Sequence, residues 1–378
     1  TGLYTSPHLH DYTERIRING DPISQADFAS LTDIVRQAVD QVLPQLGARG
    51  FVTFDLLTAL GFLAFRKAGV QVQVIEVGLG GRLDSTNVFD TKEVAVITPL
   101  SLEHTNVLGD TIEQIAAEKA AIITPGCTVV LALQERDSAQ AVVRDFANKT
   151  GARLVDVAAE YASTTNPSGS SGQALTLSGP NRNVELTLPL IGGHQANNAA
   201  TAVAAIDAID PSISDGAVTE GLASVRWLAR MEILHPNPDR QALSLTRGGV
   251  VNGPLVIADG AHNRDSARAL CQTLTDYFAA DRVTFIVGCS ADKDIAGLAE
   301  ELAPIADHVL AVRSNHPRSM DPKLISGAFH SIGIEAEDVD TVPAAIEQAM
   351  AGSGDDGVIC LTGSLFVAAE GREYFGFS

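Results

Sequence analysis

In an open α/β sheet, ligands bind beyond the carboxyl ends of the strands, so polar residues just after apolar runs are the ones that could do chemistry. The run Val74-Ile75-Glu76-Val77-Gly78-Leu79-Gly80-Gly81-Arg82-Leu83-Asp84 ends an apolar strand in a carboxylate and a glycine-rich turn. Glycines admit close backbone approach to a ligand, and the hard oxygens of Glu76 suit Mg²⁺. The alternative is a tight turn with a solvated Glu. A dinucleotide fingerprint is disfavoured, because Leu83 stands where G-x-G-x-x-G needs its third glycine. Ile97-Thr98-Pro99 closes the next strand and leads to Glu103-His104, and Glu118-Lys119 follow in a helical stretch. Taken singly, His104 reads as a satisfied loop residue and Lys119 as a solvated charge. Both nevertheless follow strand ends that neighbour Glu76.

Further places carry polar groups of interest. Gly192-Gly193-His194-Gln195 precedes Ala196-Asn197-Asn198-Ala199-Ala200 and opens a helix whose first N–H groups suit an anion or a ring nitrogen. Small residues packing closely, with Asn as a cap, explain it equally. Arg230 follows the single tryptophan, Trp227, and is placed either to clamp a phosphate or to make an ion pair. Val256-Ile257-Ala258-Asp259-Gly260-Ala261-His262-Asn263 sets Asp259, suited to a ribose hydroxyl, and His262 at a helix start. Asn315-His316-Pro317-Arg318 and Thr362-Gly363-Ser364 follow later strands. No G-x-S-x-G elbow supports a Ser-His-Asp hydrolase.

The elements that must position these groups alternate. Val70–Val77, Val94–Thr98 and Thr128–Leu133 read as strands. Gln25–Val42, Asp55–Lys67, Thr111–Ile123, Ser138–Lys149, Gln195–Ile209 and Ser214–Val225 read as helices. This order predicts a mostly parallel, doubly wound sheet in residues 1–230. Ala162–Gly172 reads as a polar loop, and Leu175/Leu177 against Val184/Leu186/Leu188 as a small antiparallel hairpin about the turn residues Gly179–Asn183. Strands restart at Val256–Ala258, Val283–Val287, His308–Val312 and Val358–Leu361, predicting a Rossmann-like α/β domain over 231–378. Met231–Pro254 is the expected boundary.

The chain's 378 residues suit two domains at roughly 150 residues each. Hydrophobic residues at 45% and charged residues at 19% supply ordinary cores and rule out a disordered chain. The net charge of −20 disfavours nucleic acid and anionic lipid as partners. Cys127, Cys271, Cys289 and Cys360 show no zinc or disulfide spacing, so buried reduced thiols and a cytoplasmic location are expected. No run has membrane-spanning length.

Taken in order, these segments resemble the folylpolyglutamate synthase/dihydrofolate synthase family of the Mur ligase superfamily. The resemblance rests on Gly2–Leu9 (GLYTSPHL), Glu14–Gly20 (ERIRING), Thr53–Asp55, Val74–Asn87, His104–Gly109 and Ala117–Ile122. It continues through His194–Thr201, Arg230–Leu234, Asp259–Asn263, Asn315–Arg318 and Leu361–Leu365, spanning essentially the whole chain. It implies an ATP-dependent amide ligase, in which a pterin-linked carboxylate takes the γ-phosphate and the resulting acyl phosphate is attacked by the amine of L-glutamate. The acceptors would be dihydropteroate, tetrahydrofolate polyglutamates, or both. Ser6, Glu76 and His104 would be magnesium ligands, and Lys119 would match the family lysine that is carbamylated. Asn198, Arg230, Asp259 and His262 would contact ATP. Thr53, Phe54, Asp55, Leu83, Asp84 and Ser85 would line the pterin pocket. A monomer is the family default.

The chain departs from the family pattern in places. Glu103 stands for the usual Asp, Asp55 for the usual Glu, and Leu228-Ala229 for Pro-Gly. The larger departure is the family's phosphate loop: no G-x-x-x-x-G-K followed by Ser or Thr occurs anywhere in the chain. With a first residue that is not Met, this reads as an N-terminally incomplete sequence, expected not to turn over ATP. The competing readings are a Mur- or cyanophycin-type ligase acting on another acid, a non-catalytic pterin- or nucleotide-binding module, and an NAD-dependent oxidoreductase motivated only by Gly78–Gly81.

Overall fold

The computed structural model describes residues 1–45, 50–167, 172–235 and 253–377. They form two compact units, Thr1–Val129 with Gln134–Leu154, and Val130–Leu133 with Val155–Ser378.

In the first unit, β1 (Gly2–Tyr4), β2 (Ile16–Ile18), β3 (Asp21–Pro22) and β4 (Gln73–Ile75) form a sheet of order β3-β2-β1-β4. β1 is parallel to β4, pairing Leu3 with Val74, and antiparallel to β2. This corrects the expectation of one mostly parallel, doubly wound sheet. Asn19-Gly20 joins β2 to β3 as a two-residue turn with both φ positive, at 52° and 98°. That is the backbone a tight hairpin needs, and Asn-Gly is its usual sequence signal. Helices α1 (Gln25–Val42) and α2 (Thr53–Ala68) supply Leu31, Val35, Leu60, Ala64 and Phe65 to a core shared with Tyr4 and Ile16. Ser24 caps α1 by accepting from the Asp27 N–H. A separate sheet orders β5 (Val94–Ile97), β6 (Thr128–Leu131) and β7 (Arg153–Asp156) side by side, the division into units falling within β6 and β7. Helices α3 (Thr105–Leu108), α4 (Ile112–Ala120) and α5 (Asp137–Thr150) follow in the same unit.

The second unit begins with α6 (Val157–Glu160) and a sheet of β8 (Ala162–Pro167), β9 (Gln173–Ser178) and β10 (Asn183–Leu188). β9 and β10 make the expected hairpin, with Leu177 opposite Val184 and Leu175 opposite Leu186. The segment expected as a polar loop is instead strand β8 over Ala162–Pro167, while 168–171 lie outside the described residues. Its side chains carry no apolar pattern, and backbone pairing with β9 recruits it as an edge strand. Helices α7 (Gly193–Ile209) and α8 (Asp215–Ala223) come next.

A six-stranded sheet then follows. It is built from β11 (Glu232–His235), β12 (Leu255–Ala258), β13 (Val283–Val287), β14 (Ala306–Val312), β15 (Ala336–Val339) and β16 (Val358–Thr362), in the order β11-β12-β16-β13-β14-β15. All neighbours are parallel except β11 with β12. Between and after the parallel strands run α9 (Arg264–Phe278), α10 (Ile295–Leu302), α11 (Pro322–Ser331), α12 (Val342–Gly352) and α13 (Leu365–Tyr374). Every residue of β12 and β16 is buried, as central parallel strands covered on both faces require. Phe285, Phe329, Leu255 and Ile257 anchor the core.

The compact units divide near Leu154, whereas the sequence pattern places a boundary at Met231–Pro254, of which 236–252 lie outside the described residues. The hairpin sheet and α7 group with the six-stranded sheet because Ile191 enters its core and buried Gln173 bonds Tyr277 of α9. The four thiols are free; Cys127, Cys289 and Cys360 are buried, and burial pushes Cys271 and Cys289 up to about 12. Among the described residues, no helix is long and apolar enough to cross a membrane.

Candidate active site

Parallel pairing of β1 with β4 carries the chain ends beyond both strands to one place. The Glu76 N–H donates to Tyr4 O at 2.9 Å, and the Ser6 N–H donates to Glu76 Oε2 at 2.6 Å. Two residues seventy positions apart, both expected to serve a cation, therefore meet. The loop after Glu76 is pressed onto α3 and α4. A Cβ at Gly80 would lie 2.8 Å from Leu108, and one at Gly81 would lie 2.8 Å from Glu118 O. Arg82 seals the contact, its N–H bonding Glu118 O and its guanidinium pairing Glu118 Oε1, each at 3.0 Å. The glycine turn thus abuts the helix that starts after His104 (φ 50°) and the helix that carries Lys119. Lys119 Nζ lies 3.2 Å from Glu103 Oε1 in a largely buried ion pair.

Among the described residues, no three His, Cys, Asp or Glu side chains are grouped to hold a metal. The expected set uses only two of these types, Glu76 and His104, together with the Ser6 hydroxyl. Their oxygen and nitrogen donors suit a hard divalent cation in chemistry. Lys119, an ammonium bound to Glu103, joins such a set only after conversion to a carboxylate.

The start of α2 and the loop 79–86, expected to line a pterin pocket, are stitched together. Asp55 accepts from the Val52 N–H at 2.9 Å and from the Ser85 hydroxyl. Asp84 accepts from the Leu79 N–H at 2.8 Å and the Thr86 N–H at 3.0 Å. Phe54 fills the space where a Cβ on Gly78 would sit. Thr53 is the first residue of α2. Leu83 is 80% exposed and Val52 62%, leaving an apolar rim around these carboxylates.

In the second unit, Asn198 and Arg230 line one pocket of about 190 Å³ with Leu190, Gln195 and Trp227. Asn198 donates to Gln195 Oε1 at 3.1 Å. Arg230 sits in a strained turn: Ala229 and Met231, on either side, have φ of 55° and 48°. Backbone contacts hold that turn. Asp259 accepts from the Met231 N–H and the Ala261 N–H, both at 2.9 Å, and Glu232 accepts from the Ala229 N–H at 2.8 Å. Arg372 in turn pairs with Glu232. Asp259, only 9% exposed, therefore fastens the Arg230 turn to the end of β12. Its neighbour His262 places Nδ1 2.8 Å from Gly260 O, which puts the proton on Nδ1. Burial holds the His194 imidazole below its ordinary range; Asp259 opposes this and Arg230 adds to it.

At the other strand ends, the Asn315 N–H donates to Glu370 at 2.6 Å, and His316 stacks on Phe366 with ring centroids 4.0 Å apart. The Arg318 carbonyl accepts from the Ala291 N–H at 2.8 Å, Thr362 bonds Ala261 O, and Ser364 caps α13. The sequence reading missed Gln195 and Leu190 as pocket walls. A signal for Gln195 existed, since it stands three residues before Asn198 on one helix face.

The chain matches the family models for the Mur ligase middle domain, over residues 31–206, and the Mur ligase glutamate ligase domain, over 245–365. A probable bifunctional folylpolyglutamate synthase/dihydropteroate synthase of Halobacterium salinarum is 35% identical over 98% of this chain, which spans only 43% of that relative. A dihydrofolate synthase/folylpolyglutamate synthase of Mycobacterium tuberculosis is 32% identical, with 100% of this chain and 80% of the relative covered. The solved M. tuberculosis folylpolyglutamate synthase complexed with ADP and AMPPCP superposes at a TM-score of 0.89, with 31% identity over all of this chain and 85% of that one. An Escherichia coli relative solved with DHPP and ADP gives 0.82, with 29% identity over 98% and 81%.

Proposed function

This chain belongs to the folylpolyglutamate synthase/dihydrofolate synthase family of Mur ligases, and we propose that it serves an ATP-dependent amide ligase that joins L-glutamate to a pterin-linked carboxylate. The acceptor carboxylate oxygen bonds the γ-phosphorus as the bond to ADP breaks. The amine of glutamate then bonds the acyl carbon, releasing phosphate and a proton. The acceptors are dihydropteroate, the γ-carboxyl of tetrahydrofolate glutamates, or both.

One observation carries this reading: Asn198 and Arg230, drawn from separate segments, share a pocket with Gln195 and Trp227. The Asn and Gln amides suit the edge of a purine, the indole offers a stacking face, and the guanidinium suits a phosphate. Asp259 and Glu232 hold the Arg230 turn, while His262 reaches out from the same strand end. On the acceptor side, the Asp55–Ser85 pair and the apolar rim of Val52 and Leu83 form the slot for a flat pterin. Ser6, Glu76, His104 and a carbamylated Lys119 would hold Mg²⁺, whose chemistry is to neutralise charge on the phosphate oxygens. The chain's own groups do the positioning.

Trp227 is the single tryptophan and is 47% exposed, so it reports on its own pocket. ADP titration should change its fluorescence saturably, and Arg230→Ala should weaken that binding by about tenfold or more. A flat titration would refute the nucleotide reading. No G-x-x-x-x-G-K run followed by Ser or Thr supplies a phosphate cradle within these 378 residues. Glutamate-dependent ADP release by this chain alone is accordingly expected to be absent, and its detection would overturn that expectation.

A further inference from the structure

Gln173 opens β9, is fully buried, and uses its whole side-chain amide. Its Nε2 donates to Leu190 O at 2.8 Å and to Gly192 O at 2.9 Å, and its Oε1 accepts from the Tyr277 hydroxyl at 2.5 Å. The two carbonyls belong to the segment that leads into α7. Leu190 is itself a wall of the nucleotide pocket, and Gly192 is the N-cap of the helix that presents Gln195 and Asn198. Gly192 has φ 116°, and a Cβ there would lie 2.8 Å from Thr273 Oγ1. Thr273 and Tyr277 are one turn apart on α9, so a single helix face both borders Gly192 and orients Gln173. The Gln173 amide grips the backbone of Leu190 and Gly192, and its influence on the pocket runs through that backbone.

We propose that Gln173, oriented by Tyr277, is the positioning residue that sets the pocket wall and the first turn of α7 for nucleotide binding. The proposal rests on the reading of that pocket as the nucleotide site. An ordinary buried amide would serve stability alone. Here both donors fall on carbonyls of the segment leading into α7; losing them loosens Leu190 and leaves the Gly192 carbonyl to the Gln195 N–H. Replacement by Leu keeps the volume and removes all three bonds. Replacement of Tyr277 by Phe keeps the ring and removes only the hydroxyl that fixes the amide's rotation.

The test is calorimetric titration of the full 378-residue chain with ADP, well below each variant's melting temperature. Q173L should raise the ADP Kd about tenfold, Y277F about threefold, and the double variant no more than Q173L alone, because the pair acts as a unit. Asp207→Asn, at the far end of α7, should lower the melting temperature without moving Kd, separating positioning from general destabilisation. If Q173L fails to fold, Y277F carries the measurement. Wild-type chain that binds ADP while folded variants stay within twofold of it would overturn this proposal alone. Wild-type chain that does not bind ADP would overturn the nucleotide reading and this proposal with it.

Discussion

Asp207→Ala should be among the most damaging single substitutions in this chain, lowering stability by roughly 3–5 kcal/mol. Arg182 and Asp207 are buried together, with side chains 1% and 3% exposed. The guanidinium bonds Asp207 Oδ1 through Nε at 2.8 Å and also through Nη2, while Nη1 bonds Ile213 O and Asp215 Oδ1, each at 3.0 Å. Tyr161 donates its hydroxyl to Asp207 Oδ2 at 3.0 Å; burial first, and that carboxylate second, push its pKa upward. Removing Asp207 strands a permanent cation inside the protein and orphans the Tyr161 hydroxyl. The remaining partner, Asp215, is 59% exposed and too well solvated to substitute. In a unit of this size the loss corresponds to a melting temperature lower by roughly 6–20 °C. Asp215→Ala should cost less than about 1 kcal/mol. Thermal melts of both variants decide it: equal effects, or an Asp207→Ala shift of under about 3 °C, would show that the buried pair does not carry the load assigned to it.

That network also shows where a sequence stops being legible. Helix α1 was readable to its ends because apolar periodicity and the Ser24 cap agree. The central strands β12, β13 and β16 were readable because burial on both faces demands continuous apolar runs. Edge strands β8 and β15 were not, since backbone pairing holds them and neither carries a continuous apolar run. Arg182 reads as a turn residue and is buried, because its partner Asp207 lies twenty-five residues away on another element. The same distance effect divides the candidate site. Ser6 with Glu76, and Asn198 with Arg230, were grouped by the family resemblance, and they lie together here. The Glu103–Lys119 pair and the Gln173 bonds depend on how loops settle against helices, which no local pattern encodes. Asp259 was legible as a polar group at a strand end, but its fastening of the strained Arg230 turn was not.

The second large effect concerns the proposed cation site, and its readout is metal binding. Mn²⁺ takes oxygen and nitrogen donors much as Mg²⁺ does and is visible by electron paramagnetic resonance. With ADP present, the wild-type chain should bind Mn²⁺, and Glu76→Gln should weaken that binding by roughly 10–100-fold, since the amide keeps the size and removes the charge. His104→Ala should act in the same direction. The amide oxygen of the Gln variant can still accept the Ser6 N–H, and the position is exposed, so the stability cost is small and loss of metal would not reflect unfolding. Lys119 sharpens the test. In the structure it is an ammonium 3.2 Å from Glu103, and an ammonium beside a divalent cation is repelled. To become a ligand it must lose a proton and add carbon dioxide, giving a carbamate in place of the ammonium that now pairs with Glu103. Carbon-13 bicarbonate should therefore produce a carbamate resonance that grows with Mg²⁺ and vanishes in Lys119→Arg. Mn²⁺ affinity unchanged in Glu76→Gln would remove Glu76 from the site. A resonance absent at saturating Mg²⁺ would leave Lys119 as the partner of Glu103 and nothing more.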